Sequence, residues 1–140
     1  MKPEMDLAAL TAFMRKEFSQ VAGDFTVMAV TGEGVDLRLN VAESHLRPGN
    51  TVSGPAIFAL ADVAIYLAIL SRIGPVALAV TTSCAIDFMR KPKAGRDLTA
   101  RARLLKLGRV LAVGDVLVYS EGDDAPVARA GLTYSIPPGQ

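Results

Sequence analysis

The sequence predicts an α+β fold in which a curved antiparallel sheet wraps one long central helix, with a shorter helix at the N-terminus. Three observations carry this expectation. Residues 55–70 form an apolar run of helical length with a single charge inside it. Segments of strand-like alternation lie on both sides of that run, and those after it are joined by short turns. Half of the 140 residues are hydrophobic (51%), enough for a sizeable core in one domain spanning 1–140.

From the N-terminus, residues 6–21 show helical spacing, with Leu7, Leu10, either Phe13 or Met14, and Phe18 on one side and Gly23 as a stop. Residues 25–31 turn strand-like. After the Gly32-Glu33-Gly34 turn, Val35, Leu37, Leu39 and Val41 alternate with Asp36, Arg38 and Asn40, which predicts a hairpin with one wet face. Residues 43–52 read as a loop holding His45, the only histidine, and the turn signal Pro48-Gly49.

The central helix is expected over about residues 54–72. Ser53 is a suitable N-cap, and Pro55 is tolerated in the first turn because its missing N–H has no intrahelical partner. Gly74-Pro75 ends the helix. The apolar run is shorter than the ~20 residues that a membrane span needs, so it reads as a core helix. Strands follow at 77–88, 98–107, 110–119 and 127–136, divided by turns at Gly108-Arg109 and at residues 121–124. Short connections favour antiparallel pairing, and a helix apolar all round needs cover on nearly every side.

Composition narrows function. Fifteen Lys and Arg against 14 Asp and Glu make a net charge of +1, which supplies no electrostatic case for nucleic acid or an anionic membrane. One cysteine, Cys84, suits a reducing compartment, and the N-terminal residues carry no signal-peptide pattern. A cytoplasmic protein is expected. A single histidine and a single cysteine are too few for a multi-histidine or cysteine-rich metal site. Neither a phosphate-binding loop nor a G-x-S-x-G elbow is present.

Asp62 is the anomaly. Its helical neighbours at three and four positions are Phe58, Ala59, Ile65 and Tyr66, so it sits on no polar stripe. An unpaired buried carboxylate costs several kcal/mol, which favours a chemical use over a structural one. The bland alternative is a solvent-facing or capping aspartate. At the helix start, Gly54 is the adjacent backbone donor in Val52-Ser53-Gly54-Pro55, and with no side chain it admits a ligand closely, as an oxyanion site requires. An ordinary capped start is the alternative. Eight residues separate Gly54 from Asp62, about 12 Å along one helix. Both can act on one carbonyl only if they come from different subunits, so a catalytic reading predicts a homodimer with shared sites.

The run Asn50-Thr51-Val52-Ser53-Gly54-Pro55 through Leu60-Ala61-Asp62 resembles the helix start of the hotdog-fold acyl-CoA thioesterases, of the PaaI-like (phenylacetate-degradation) branch. Ala79-Val80-Thr81-Thr82, Phe88-Met89-Arg90, Lys106-Leu107-Gly108-Arg109 and Thr133-Tyr134-Ser135-Ile136-Pro137 extend the likeness over about residues 25–137. The resemblance implies hydrolysis of an acyl-CoA thioester to free acid and CoA. It makes Asp62 the general base or nucleophile, Gly54 the oxyanion donor, and Thr81 a hydroxyl that positions water; a strand threonine is the alternative for Thr81. Two positions depart from the family pattern. Ser53-Gly54-Pro55 stands where many relatives read His-Gly-Gly, and Arg47 where some carry asparagine, with Asn50 close by.

Coenzyme A, as part of the substrate, favours cations at the site mouth, where Arg90, Lys91, Lys93 and Arg96 cluster and Lys106 and Arg109 flank a turn. Solvated charges protecting strand ends are the alternative for each, and Arg47, Asn50 and Ser53 complete the substrate-binding candidates. Phe58, Tyr66 and Met89 are candidates for an acyl pocket, with plain core packing the commoner alternative for such residues. No metal or redox cofactor is implied. A homodimer, or a tetramer made by pairing dimers, is the assembly the reading allows. A non-catalytic acyl-CoA binder on the same fold is the alternative function. A hotdog dehydratase is the weaker third option, because His45 lies outside the helix.

Overall fold

A computed structural model of the chain describes residues 2–138. Helix α1 (Leu7–Glu17) is followed by the hairpin β1 (Phe25–Val30) and β2 (Gly34–Leu39), and a miniature hairpin β3 (Leu46–Arg47) and β4 (Thr51–Val52). Then come the central helix α2 (Gly54–Ile73) and strands β5 (Val80–Phe88), β6 (Leu98–Leu107), β7 (Leu111–Ser120) and β8 (Pro126–Ser135). The main sheet has six strands in the order β1-β2-β6-β7-β8-β5, all antiparallel.

This sheet wraps α2, as the apolar pattern demands. Leu60, Ile65, Leu67, Ile69 and Leu70 of α2 are fully enclosed, facing Leu37 and Leu39 of β2, Leu98 of β6, Val116 of β7 and Leu132 of β8. Helix α2 is 20 residues long and apolar enough to cross a membrane, longer than the apolar run suggested, yet 67% of its most apolar 18 residues are buried inside the protein. Ser53 Oγ accepts the Ala56 N–H at 3.3 Å to cap it, and Gly74 ends it at φ 94°, a left-handed value that glycine adopts without a Cβ clash.

Four expectations need correction. Helix α1 stops at Glu17, four residues before Val21, because Phe18 leaves the helical backbone (φ −129°, ψ 43°); Asp6 caps its start through the Ala9 N–H. Leu7 is exposed, and only Leu10, Phe13 and Met14 of its apolar side are buried. The segment 43–52 is not a plain loop: Gly49 (φ 97°) and Asn50 (φ 58°) close the β3–β4 turn, and the Asn50 N–H bonds the Arg47 carbonyl at 3.1 Å. Strand β5 begins at Val80 rather than Ala77, since the Ala79 N–H still bonds back to Val76 in a turn.

The cover on α2 is also incomplete. Pro55 and Ala59 are exposed and Phe58 and Asp62 half-buried, leaving one stripe of the helix open beside β5. Strand β5 is an edge of the sheet, with one side paired to β8 and the other free among the described residues. Such an edge carries a row of backbone N–H and C=O groups that no other strand pairs among the described residues.

Candidate active site

Asp62 is half-buried in that open stripe, and it is not unpaired as the sequence suggested. The Thr81 hydroxyl donates to its Oδ1 at 2.5 Å, and the Tyr134 hydroxyl reaches the same oxygen at 2.7 Å and the Asp62 carbonyl oxygen at 3.0 Å. Thr81 and Tyr134 are direct cross-strand partners in β5 and β8, which is why two hydroxyls converge on one oxygen. Among the described residues no hydrogen bond reaches Oδ2.

A β-bulge aims Thr81. From Cys84 and Ile86 the inward side of β5 would pass through Thr82, but the register shifts between Thr81 and Ser83. Thr82 and Ser83 both face outward, and Thr81 turns toward the helix. Burial first, and the Asp62 charge second, push the Tyr134 phenol far above its ordinary pKa, so it stays protonated as a donor. The same two causes raise the Cys84 thiol, which is therefore no activated nucleophile.

Asp62 lines a cleft of about 340 Å³ whose walls are Phe18, Gln20, Val63, Tyr66 and Thr81, with Glu17 at the end of α1. Phe18 and Tyr66 meet edge to face with ring centroids 6.0 Å apart. The Tyr66 hydroxyl donates to the Ala77 carbonyl at 2.9 Å, and its pKa is raised by burial and then by Glu17.

Gly54 lies elsewhere, in a second cleft of about 610 Å³ with Arg47, Phe88, Met89, Arg90 and Lys91. The Ala56 N–H is held by Ser53 Oγ and the Ile57 N–H by the Ser53 carbonyl, and Pro55 has none. That leaves the Gly54 N–H as the open donor of the first turn among the described residues, at the positive end of the helix dipole. A Cβ on Gly54 would stand 3.4 Å from Cζ of Phe88. His45 holds the preceding loop: Nδ1 accepts the Ala42 N–H at 2.9 Å, and its carbonyl accepts the Ser53 N–H at 2.8 Å.

The expected residues thus fall into two groups on one chain. Asp62 and Thr81 share one cleft; Gly54, Arg47, Arg90 and Lys91 share the other. Ser53 uses its hydroxyl as the helix cap, and Asn50 forms the left-handed turn. Strand β5 links the two clefts, meeting Asp62 through Thr81 at one end and Gly54 through Phe88 at the other.

Residues 49–127 match the family model of the thioesterase superfamily. The chain belongs to the thioesterase superfamily. A candidate thioesterase from a Silicibacter species is 56% identical, with 99% of this chain and 96% of that one aligned at a TM-score of 0.92. A point mutant of the phenylacetic acid degradation protein PaaI from Thermus thermophilus is 31% identical, over 85% of this chain and 99% of that one, TM-score 0.72. A curated candidate esterase from Archaeoglobus fulgidus is 32% identical over 96 residues, 69% of this chain, and the match spans 60% of that relative's length. The sheet around α2 is the hotdog fold of these PaaI-like relatives.

Sequence reasoning assigned no role to Tyr134 or to Glu17, Phe18 and Gln20. For Tyr134 a signal existed: alternation along 127–136 puts it on the same inward side as Ala128, Ala130 and Leu132, and a buried phenol needs a partner. Residues 17–20 carried none, because only the early end of α1 brings them to Asp62.

Proposed function

We propose that the protein is a cytoplasmic acyl-CoA thioesterase that works as a homodimer with two shared active sites. The observation that carries this is the division of one site's parts between two clefts joined by a free strand edge. If two copies pair β5 antiparallel, with the two-fold axis midway between Thr81 and Phe88 at Cys84 and Ala85, Thr81 of one copy comes beside Phe88 of the other. Asp62 then faces the partner subunit's Gly54. Within one chain Gly54 and Asp62 stay about 12 Å apart along α2, too far to meet at one carbonyl group.

The chemistry follows from the donors. The thioester carbonyl accepts the N–H of the partner subunit's Gly54, which stabilises the developing oxyanion. Asp62 Oδ2 takes a proton from water as the oxygen attacks the carbonyl carbon. The tetrahedral intermediate collapses, the C–S bond breaks, and the thiolate leaves with the proton held by Asp62, yielding free acid and CoA. Label from labelled water found in Asp62 after a single turnover would instead mark direct attack by the carboxylate.

Charge sorts the two halves of the substrate. Arg47, Arg90 and Lys91 at the Gly54 cleft suit the phosphates of CoA, and the Asp62 cleft, with Phe18, Tyr66 and the carboxylate Glu17, suits an uncharged acyl group. Thiol release from a panel of acyl-CoAs tests the proposal. Wild type is expected to exceed Asp62→Asn by about 100-fold or more on its preferred substrate. Equal background release by both, across short, long and aromatic acyl groups, would refute hydrolysis and leave an acyl-CoA binder.

A further inference from the structure

We infer that Tyr134 is a positioning residue which, together with Thr81, clamps Oδ1 of Asp62 and reserves Oδ2 for the water. The inference rests on the reading of Asp62 as the reacting carboxylate. A free aspartate rotates about its last torsion, which is broad and roughly two-fold, so its two oxygens exchange places. Here the rotation is opposed from two strands. The Thr81 proton goes to Oδ1 at 2.5 Å, and the Tyr134 proton lies between Oδ1 at 2.7 Å and the Asp62 carbonyl at 3.0 Å.

The second contact of Tyr134 matters as much as the first. By touching both the carboxylate and the backbone of one residue, the phenol ties the side chain to its own helix. Tyr134 is 3% exposed and its ring is tilted against Tyr66, with centroids 6.2 Å apart, so the hydroxyl cannot swing away without disturbing the core. The phenol has no charge to gain at working pH, since burial and the Asp62 charge both oppose its ionisation. A hydroxyl that only satisfied itself in the core would need one acceptor, and the Asp62 carbonyl alone would serve. The shorter bond to Oδ1 is the one with a consequence for chemistry, because each lone pair occupied on Oδ1 leaves Oδ2 the free base.

Tyr134→Phe keeps the ring and removes the one O–H. The expected result is a fall in kcat on the order of ten-fold with KM within about two-fold, the split for an interaction made in the transition state. Thr81→Val should act alike and Thr81→Ser should restore the rate. The double variant should lose more than the product of the single losses, because each donor alone still anchors Oδ1. Activity of Tyr134→Phe within two-fold of wild type, with Asp62→Asn inactive, would overturn the clamp and leave the role of Asp62 standing. Full activity in Asp62→Asn would instead remove the reading beneath it. Should Tyr134→Phe not fold, failure of Thr81→Ser to recover what Thr81→Val loses overturns the clamp by itself.

Discussion

Two inactive variants should restore each other. Asp62→Asn removes the base, and Gly54→Pro removes the one open N–H at the helix start. Proline suits the neighbouring residue: Ser53 already holds φ −73° and ψ 155°, as a residue before proline must, and the first helical turn lacks intrahelical acceptors for its N–H groups. A Cβ there meets Phe88 only at ordinary contact, 3.4 Å. Each homodimer should be crippled, the proline variant by about 100-fold or more through loss of the oxyanion donor. Random exchange of subunits makes half of the dimers mixed. In a mixed dimer one site joins Asp62 from the proline subunit to Gly54 from the asparagine subunit and is intact; the other carries both lesions. Activity per subunit should therefore recover to about a quarter of wild type, since a two-fold dimer places two equivalent sites at one interface. Thiol release before and after exchange reads the result, and native mass spectrometry of tagged subunits verifies mixing. Recovery no greater than the sum of the parents, with mixed dimers demonstrated, would refute the shared site.

Other outcomes follow from the same geometry. Butyryl-CoA should turn over faster than succinyl-CoA, and Glu17→Gln should narrow that ratio by a few-fold, the size expected of a solvent-screened charge; competition assays with both esters measure it. Gly34→Ala should disrupt the β2–β6 pairing, because a Cβ there would collide with the Ala102 carbonyl oxygen, and a melting midpoint equal to wild type would contradict it. Leu67→Ala, at a fully enclosed position of α2, should cost about 2–5 kcal/mol in denaturant unfolding. Tyr66 and Tyr134 have folded pKa values raised above the unfolded value near 10, so the stability they contribute is present below that pH and is lost as pH rises toward the folded values. Their phenolate absorbance should appear together with alkaline unfolding and not before it.

Much of the fold was legible because its signals are local. The alternation of Val35, Leu37 and Leu39 marks a half-buried strand wherever it occurs, and β6 falls on the expected residues 98–107. The apolar run with Ser53 before it and Gly74 after it could be little other than a buried helix. The misses were positions where tertiary contacts overrule local preference. Phe18 leaves α1 to pack on Tyr66, and the β3–β4 turn is too short for alternation to register.

Asp62 shows where the boundary lies for the site. Its oddness is a property of spacing, so the sequence alone determined that a carboxylate stands on an apolar helix, that Gly54 precedes it, and that the two are too far apart to act together from one helix. What surrounds the carboxylate was decided by tertiary structure alone. A bulge in β5 turns Thr81 inward, the register of β5 on β8 sets Tyr134 beside it, and the sheet order leaves β5 as a free edge joining the two clefts. The physical reason is that helical spacing is a covalent consequence of neighbours in the chain. The meeting of Asp62 with Tyr134, 72 residues away, depends on how the sheet closes around the helix.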